Sequence, residues 1–172
     1  MLKLDLLPHR FDDVRTDYSL TLKQALAQSV PNTPETNAVW NFDSEPRDNL
    51  IVRHGLFLVK CNGLSNTTRM LRAIHYKRCF RIADFRTALA FNKRHGEQIQ
   101  DWLKEGTTGF SRAMGIVPIE RFHDGFNWCH PYLSKLEGFP HDENPPKFEA
   151  MSNIIRNGFQ WPKEFHFLVE EI

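Results

Sequence analysis

Long apolar runs are missing from this sequence. No stretch of about eighteen residues is apolar enough to span a bilayer. The N-terminal patch in MLKLDLLPHRFDDVR is short and broken by acids, unlike the apolar stretch of a secretory leader. Cysteine is scarce as well. Cys61, Cys79 and Cys129 make neither a CxxC pair nor a disulfide framework, which argues for free thiols and a cytoplasmic location. No GxxxxGK[ST] or GxGxxG segment is present, so there is no glycine loop to cradle a phosphate. A GxSxG nucleophile elbow is absent too. Neither internal repeats nor low-complexity tracts occur. Charge of neither sign dominates, with 22 Lys and Arg against 21 Asp and Glu.

Core-forming material is plentiful. Apolar residues make up 41% of the 172 positions, and 14 Phe and 4 Trp outnumber 3 Tyr, which is a globular rather than a disordered composition. One domain spanning 1–172 is the expected organisation.

Along the chain, DYSLTLKQALAQSV reads as a helix with Ser19 as its cap, ended by Pro31 and Pro34. The proline-punctuated segment that follows reads as a long loop, with Trp40 and Phe42 as anchors. NLIVRHGLFLVKCNG fits either a hairpin turning at His54-Gly55 or one bulged strand. In RAIHYKRCFRI, alternation of Ile74, Tyr76, Phe80 and Ile82 argues for a strand. A helix from Thr67 or Thr68 through Met70, Leu71 and Ile74, alone or followed by a strand, competes with it. The clearest pattern predicts one amphipathic helix from about Asp84 to Lys104, with Asp84 as its cap, burying Phe85, Leu89, Ile99 and Leu103.

Beyond it, GIVPIERF predicts an edge strand because Pro118 cannot donate to a central ladder. Segment 124–147 reads as an irregular excursion, and KFEAMSNIIRNG as a short helix stopped by Gly158. KEFHFLVEEI closes the chain as a strand inside the sheet, with Phe165, Phe167 and Val169 inward. The expected fold is α+β, with a mixed or antiparallel sheet, two or three helices and long irregular loops.

Charge is unevenly placed. Arg69, Arg72, Lys77, Arg78, Arg81, Arg86, Lys93 and Arg94 are opposed within their own run only by Asp84, a local +7 in a chain of net +1. The rest of the chain therefore carries −6. Presented on one face, this run would attract RNA or another polyanion, because Arg and Lys contacts to phosphate supply most nonspecific affinity. An acidic protein partner fits the same charge, and acids such as Asp12, Asp13, Asp142 and Glu143 folding back on it would neutralise it instead.

One stretch gathers chemistry-bearing residues. RFHDGFNWCHPYL holds two histidines, an aspartate and a cysteine in thirteen residues. Its spacing matches no zinc pattern, and no metal or cofactor is expected. It is also too compact for the hairpin of an HNH nuclease. A metal-independent ribonuclease needs a base, an acid and a cation at the phosphate. His123, oriented by Asp124 or Glu120, fits the first role, His130 or His95 the second, and Arg121 or Arg112 the third. The expectation is nevertheless that the stretch is chiefly structural, with Phe122, Phe126 and Trp128 buried.

A third order of residues runs through Arg53 or His54, GTTGFS at 106–111, and Glu170 or Glu171. It follows an ADP-ribosyl-transferring enzyme in outline, but the hydroxyl run is irregular and the glutamates are terminal. The leading functional reading is a nucleic-acid-binding domain, with His123, His130 and Arg121 as candidate cleavage residues. The alternative, of a different class, is a non-catalytic inhibitor, immunity or phage accessory protein that docks through the proline-stiffened 138–148 loop or the basic run.

Overall fold

The computed structural model describes residues 4–29, 50–61, 65–76, 79–104, 114–117, 122–123, 128–135, 148–154, 160–161 and 165–172. In chain order these form β1 (Leu4–Asp17), α1 (Leu22–Ser29), β2 (Ile51–Cys61), β3 (Ser65–Asn66) and α2 (Thr67–Tyr76). β4 (Phe80–Ile82), α3 (Phe85–Lys104), β5 (Met114–Val117) and β6 (Phe122–His123) follow. The last elements are β7 (Trp128–Lys135), β8 (Phe148–Ile154), β9 (Gln160–Trp161) and β10 (Phe165–Glu171).

The main sheet runs β1-β2-β10-β5-β7-β6, with β4 beside β10 and β8 beside β7, while β3 and β9 pair separately. Its ladders are antiparallel except for β10 with β5, so the α+β class with a mixed sheet and three described helices holds. Helix α3 reaches β1, β5 and β7, which requires the sheet to curl around it.

The core lies between this concave face and the helices. Phe11 and Val14 of β1 stand opposite Leu56 and His54 of β2, and Leu58 faces Leu168 of β10. They pack with Leu22 and Leu26 of α1 and with Phe85, Ala88, Leu89 and Phe91 of α3. β10 is closed in on both sides. All five residues from His166 to Glu170 are buried, but Leu168 is the one that joins the core against α1 and α3. Phe167 and Val169, expected inward, alternate with it and are buried on the other face, and the Phe165 side chain lies outside those described.

β1 is the element the sequence pattern conceals. Phe11, Val14 and Thr16 are buried while Arg10, Asp12, Asp13 and Arg15 are exposed. Register shifts between Leu6 and Arg10, and again between Phe11 and Val14, break the two-residue period that would have announced a strand. The bulges thus sit in β1, and His54-Gly55 is neither a hairpin turn nor a bulge but part of the single strand β2. Gly55 matters for what crosses it. A Cβ there would lie 3.0 Å from Nη2 of Arg10, whose guanidinium bonds Asp12 at 2.7 Å, pairs with Glu171 and sits 5.8 Å from the Phe57 ring centroid.

Helix starts are set by side-chain caps. α1 is capped by Thr21 rather than Ser19: Gln24 N donates to Thr21 Oγ1 at 3.2 Å, and Thr21 N donates to Gln24 Oε1 at 2.8 Å. Ser19 instead donates to Asp17. Asp84 caps α3 as expected, accepting from Thr87 N at 2.7 Å. Phe85 and Leu89 are buried; the side chains of Ile99 and Leu103 lie outside those described. Asp84→Ala is expected to cost about 1–2 kcal/mol in urea unfolding, with Asp84→Asn costing clearly less. Equal losses in the two variants would remove capping as the cause.

Other expectations are corrected. RAIHYKRCFRI is a helix followed by a strand, because Met70 and Ile74, four apart, are both buried, and β4 begins only at Phe80. β5 is not at the edge but lies between β10 and β7, and Pro118, on which the edge expectation rested, lies outside the described residues. KFEAMSNIIRNG is no helix at residues 148–154; it pairs with β7 along its whole length as β8. The 124–147 segment contains the eight-residue β7, whose Pro131 faces Ser152 and otherwise falls between the stretches paired to β6 and to β5. Trp40, Phe42 and Gly158 lie outside the described residues.

Candidate functional site

The ladder positions a chain of polar groups across the concave face. Glu170 stands opposite Leu56 on one side and opposite Arg81 on the other, so His54, two residues from Leu56, is its diagonal neighbour. Glu170 Oε1 meets His54 Nδ1 at 2.7 Å, and Oε2 accepts from Arg81 Nε at 2.7 Å. An ionised Glu170 accepts from Nδ1–H of His54, and the other ring nitrogen, Nε2, lies 3.5 Å from Thr87 Oγ1. The Thr87 hydroxyl also meets Thr16 at 3.3 Å and Tyr18 at 3.2 Å, and Tyr18 donates to Asp84 Oδ2 at 2.6 Å.

Burial pushes the Glu170 carboxyl upward, but hydrogen bonds from Arg81 and His54 and their charge outweigh it. The carboxyl ends below its ordinary value. Burial, reinforced by Asp84, holds the Tyr18 phenol far above its ordinary value. Carboxylate, imidazole and hydroxyl follow one another as in an activated nucleophile. Yet Thr87 is 1% exposed and lines neither cavity described below. The polar chain is hydrogen-bonded from Glu170 through His54 to Thr87, Tyr18 and Asp84. GTTGFS lies outside the described residues.

Two cavities flank it. One, of about 500 Å³, opens between α1, α3 and β1, with Thr16, Arg86 and Leu89 beneath and Arg15, Lys93 and Arg94 among its walls. The other, of about 700 Å³, is a groove lined by Arg72, Ile74, His75 and Tyr76 of α2, Phe80 and Arg81 of β4, and Ile172. Tyr76 is 79% exposed there, and Phe80 is braced edge-on against Phe57 at 5.6 Å between ring centroids.

Of the described members of the basic run, Arg86, Lys93 and Arg94 line the first cavity and Arg72 and Arg81 the groove, while Arg69 is in neither lining. Arg94 and His95 both bond Asp13, at 2.8 and 2.7 Å, and the Arg94 hydrogen bond, with that of His95, holds the Asp13 carboxyl below its ordinary value. One of the acids expected to fold back on the run therefore does so. Lys93 donates to Gln28 at 2.8 Å. Arg86 is buried and donates to the Leu20 carbonyl. Arg81 is held by Glu170, while Arg69 and Arg72 are exposed on α2. Lys77, Arg78, Arg121, Arg112, Glu120 and Asp124 lie outside the described residues.

His123 and His130 sit on β6 and β7. His123 is opposite Trp128, and residue 130 is two further along, so backbone positions 123, 128 and 130 share one parity of the pleat. Residues 122 and 129 share the other. Tyr76 was hidden from sequence reasoning by the strand pattern. On a helix, two residues past the buried Ile74, it points about 200° away from it. Among the described residues, no cluster of three or more His, Cys, Asp or Glu is placed to hold a metal, and no helix is long and apolar enough to cross a membrane. No protein family, no curated protein and no solved structure matches this chain.

Proposed function

We propose that this protein binds single-stranded nucleic acid in the groove between α2 and β4. The observation that carries the reading is a largely exposed tyrosine that shares one groove of about 700 Å³ with two arginines. Strand binding without base readout needs an aromatic face for a base and cations along the backbone. Tyr76 supplies the face, with Ile74, Phe80 and Ile172 as an apolar floor. Arg72 and Arg81 supply the charge, and His75 adds to it when protonated.

A labelled oligouridylate titrated at several salt concentrations tests this. Binding is expected to weaken with salt, and Arg72→Glu to flatten the logarithmic salt slope by ~0.7, the share of one phosphate contact. Tyr76→Ala is expected to cost about 1–3 kcal/mol of affinity with the slope unchanged. Salt-independent binding, or two variants that bind like wild type, would end the reading.

Cleavage of the bound strand is a second reading, supported by the shared parity of positions 123 and 130. It calls for His123 as base and His130 as acid on one face of the β6–β7 ladder. RNA that stays intact with the purified protein in a chelator would refute it. For the protein-docking alternative, only Phe148 of the 138–148 segment is described.

A further inference from the structure

We propose that Glu170 is a positioning residue for ligand binding: it fixes Arg81 so that the outer edge of the guanidinium faces the groove as a fork for a backbone phosphate whose neighbouring base lies on Tyr76. The proposal rests on the nucleic-acid reading above and adds how the site selects phosphate.

Arg81 and Glu170 are direct partners across the β4–β10 ladder, joined by Arg81 Nε and Glu170 Oε2 at 2.7 Å. The two side chains differ sharply in environment. Glu170 is 10% exposed and anchored through its other oxygen to His54, whereas Arg81 is 60% exposed and lines the groove. A guanidinium has five N–H groups in one rigid plane. Engaging Nε in a carboxylate contact leaves the two Nη groups side by side, the spacing that matches two phosphate oxygens. Among the described residues, the Arg81 side chain forms no other hydrogen bond or ion pair, while Tyr18 and Asp84 also act on its charge. A held fork loses less freedom on binding than a mobile side chain, and that preorganisation raises affinity. Lysine in its place carries the charge without the fork.

Coulomb's law alone predicts the opposite role for Glu170. A carboxylate near a phosphate site repels the ligand, so neutralising it strengthens binding. The sign of the effect therefore separates positioning from plain electrostatics.

The test measures oligouridylate affinity by fluorescence anisotropy for wild type, Glu170→Gln, Arg81→Lys and the double variant. Positioning predicts that Glu170→Gln binds roughly three- to tenfold more weakly, Arg81→Lys about tenfold, and the double variant no worse than Arg81→Lys. If Glu170→Gln binds as tightly as wild type or tighter, while Arg81→Lys is weakened, positioning is wrong and the groove reading stands. If wild type shows no salt-dependent binding, both fall. Should Glu170→Gln fail to fold, NMR of the wild-type protein decides. A sharp, slowly exchanging Arg81 Nε–H in the free protein, with Nη signals that move on adding oligouridylate, supports the proposal. An Nε–H in fast exchange with solvent overturns it.

Discussion

Phe91→Ala is expected to lower the unfolding free energy by about 3–5 kcal/mol, as for other large-to-small changes at buried aromatics. At this chain length that corresponds to a fall in melting temperature of roughly 6–20 °C. The Phe91 ring is fully buried on α3, edge-on to Phe11 with centroids 4.8 Å apart, and 5.5 Å from the His95 ring. Phe11 belongs to β1, so the ring joins the helix to an edge of the curled sheet. Alanine would leave a cavity that strand and helix backbones cannot close. Ile51→Ala, at a side chain 64% exposed, serves as the control and should change stability by less than about 0.5 kcal/mol. Comparable urea midpoints for the two variants would mean that α3 does not seal β1 as described.

Glu170→Ala is expected to cost about 1–3 kcal/mol near neutral pH, through the hydrogen bonds that His54 and Arg81 lose. The cost stays below that of a fully buried ion pair because Arg81 reaches solvent. It should also change the pH dependence of stability. Glu170 is held below its ordinary value in the folded protein, first against burial and then by Arg81 and His54. Its contribution is therefore fully present above the unfolded pKa of about 4.3 and is lost as pH falls through the folded value. Asp13 and Asp17, held down by Arg94 and by Ser19, act in the same direction. Wild-type stability should thus drop on acidification below about pH 5, and less steeply in Glu170→Gln. Parallel curves for the two proteins would show that Glu170 titrates alike folded and unfolded.

Legibility followed locality. The Asp84 cap and helix α3 were readable because both depend on residues three or four apart, and the closing strand because its apolar run is dense. The cap of α1 was misplaced by two residues, since Ser19 and Thr21 are both good capping residues and only Thr21 has Gln24 three residues on. β8 read as a helix because the cross-strand partners that stabilise it, in β7, are distant in sequence.

The candidate site was less legible still. The basic run was visible as composition, but which of its members meet a partner was not. Asp13 reaches Arg94 and His95 across more than eighty residues, and Glu170 reaches Arg81 across 89. By itself the sequence determined the α+β class, the long helix and the concentration of positive charge, because those follow from short-range periodicity and from counting. The tertiary structure alone decided that β1 is a strand despite its bulges, that five of the six described members of the basic run line two separate cavities, and that Tyr76 is exposed in a groove it shares with Arg72 and Arg81. The physical reason is that ladder register and burial are set by contacts distant in sequence, and a shift of one residue moves every following side chain to the other face.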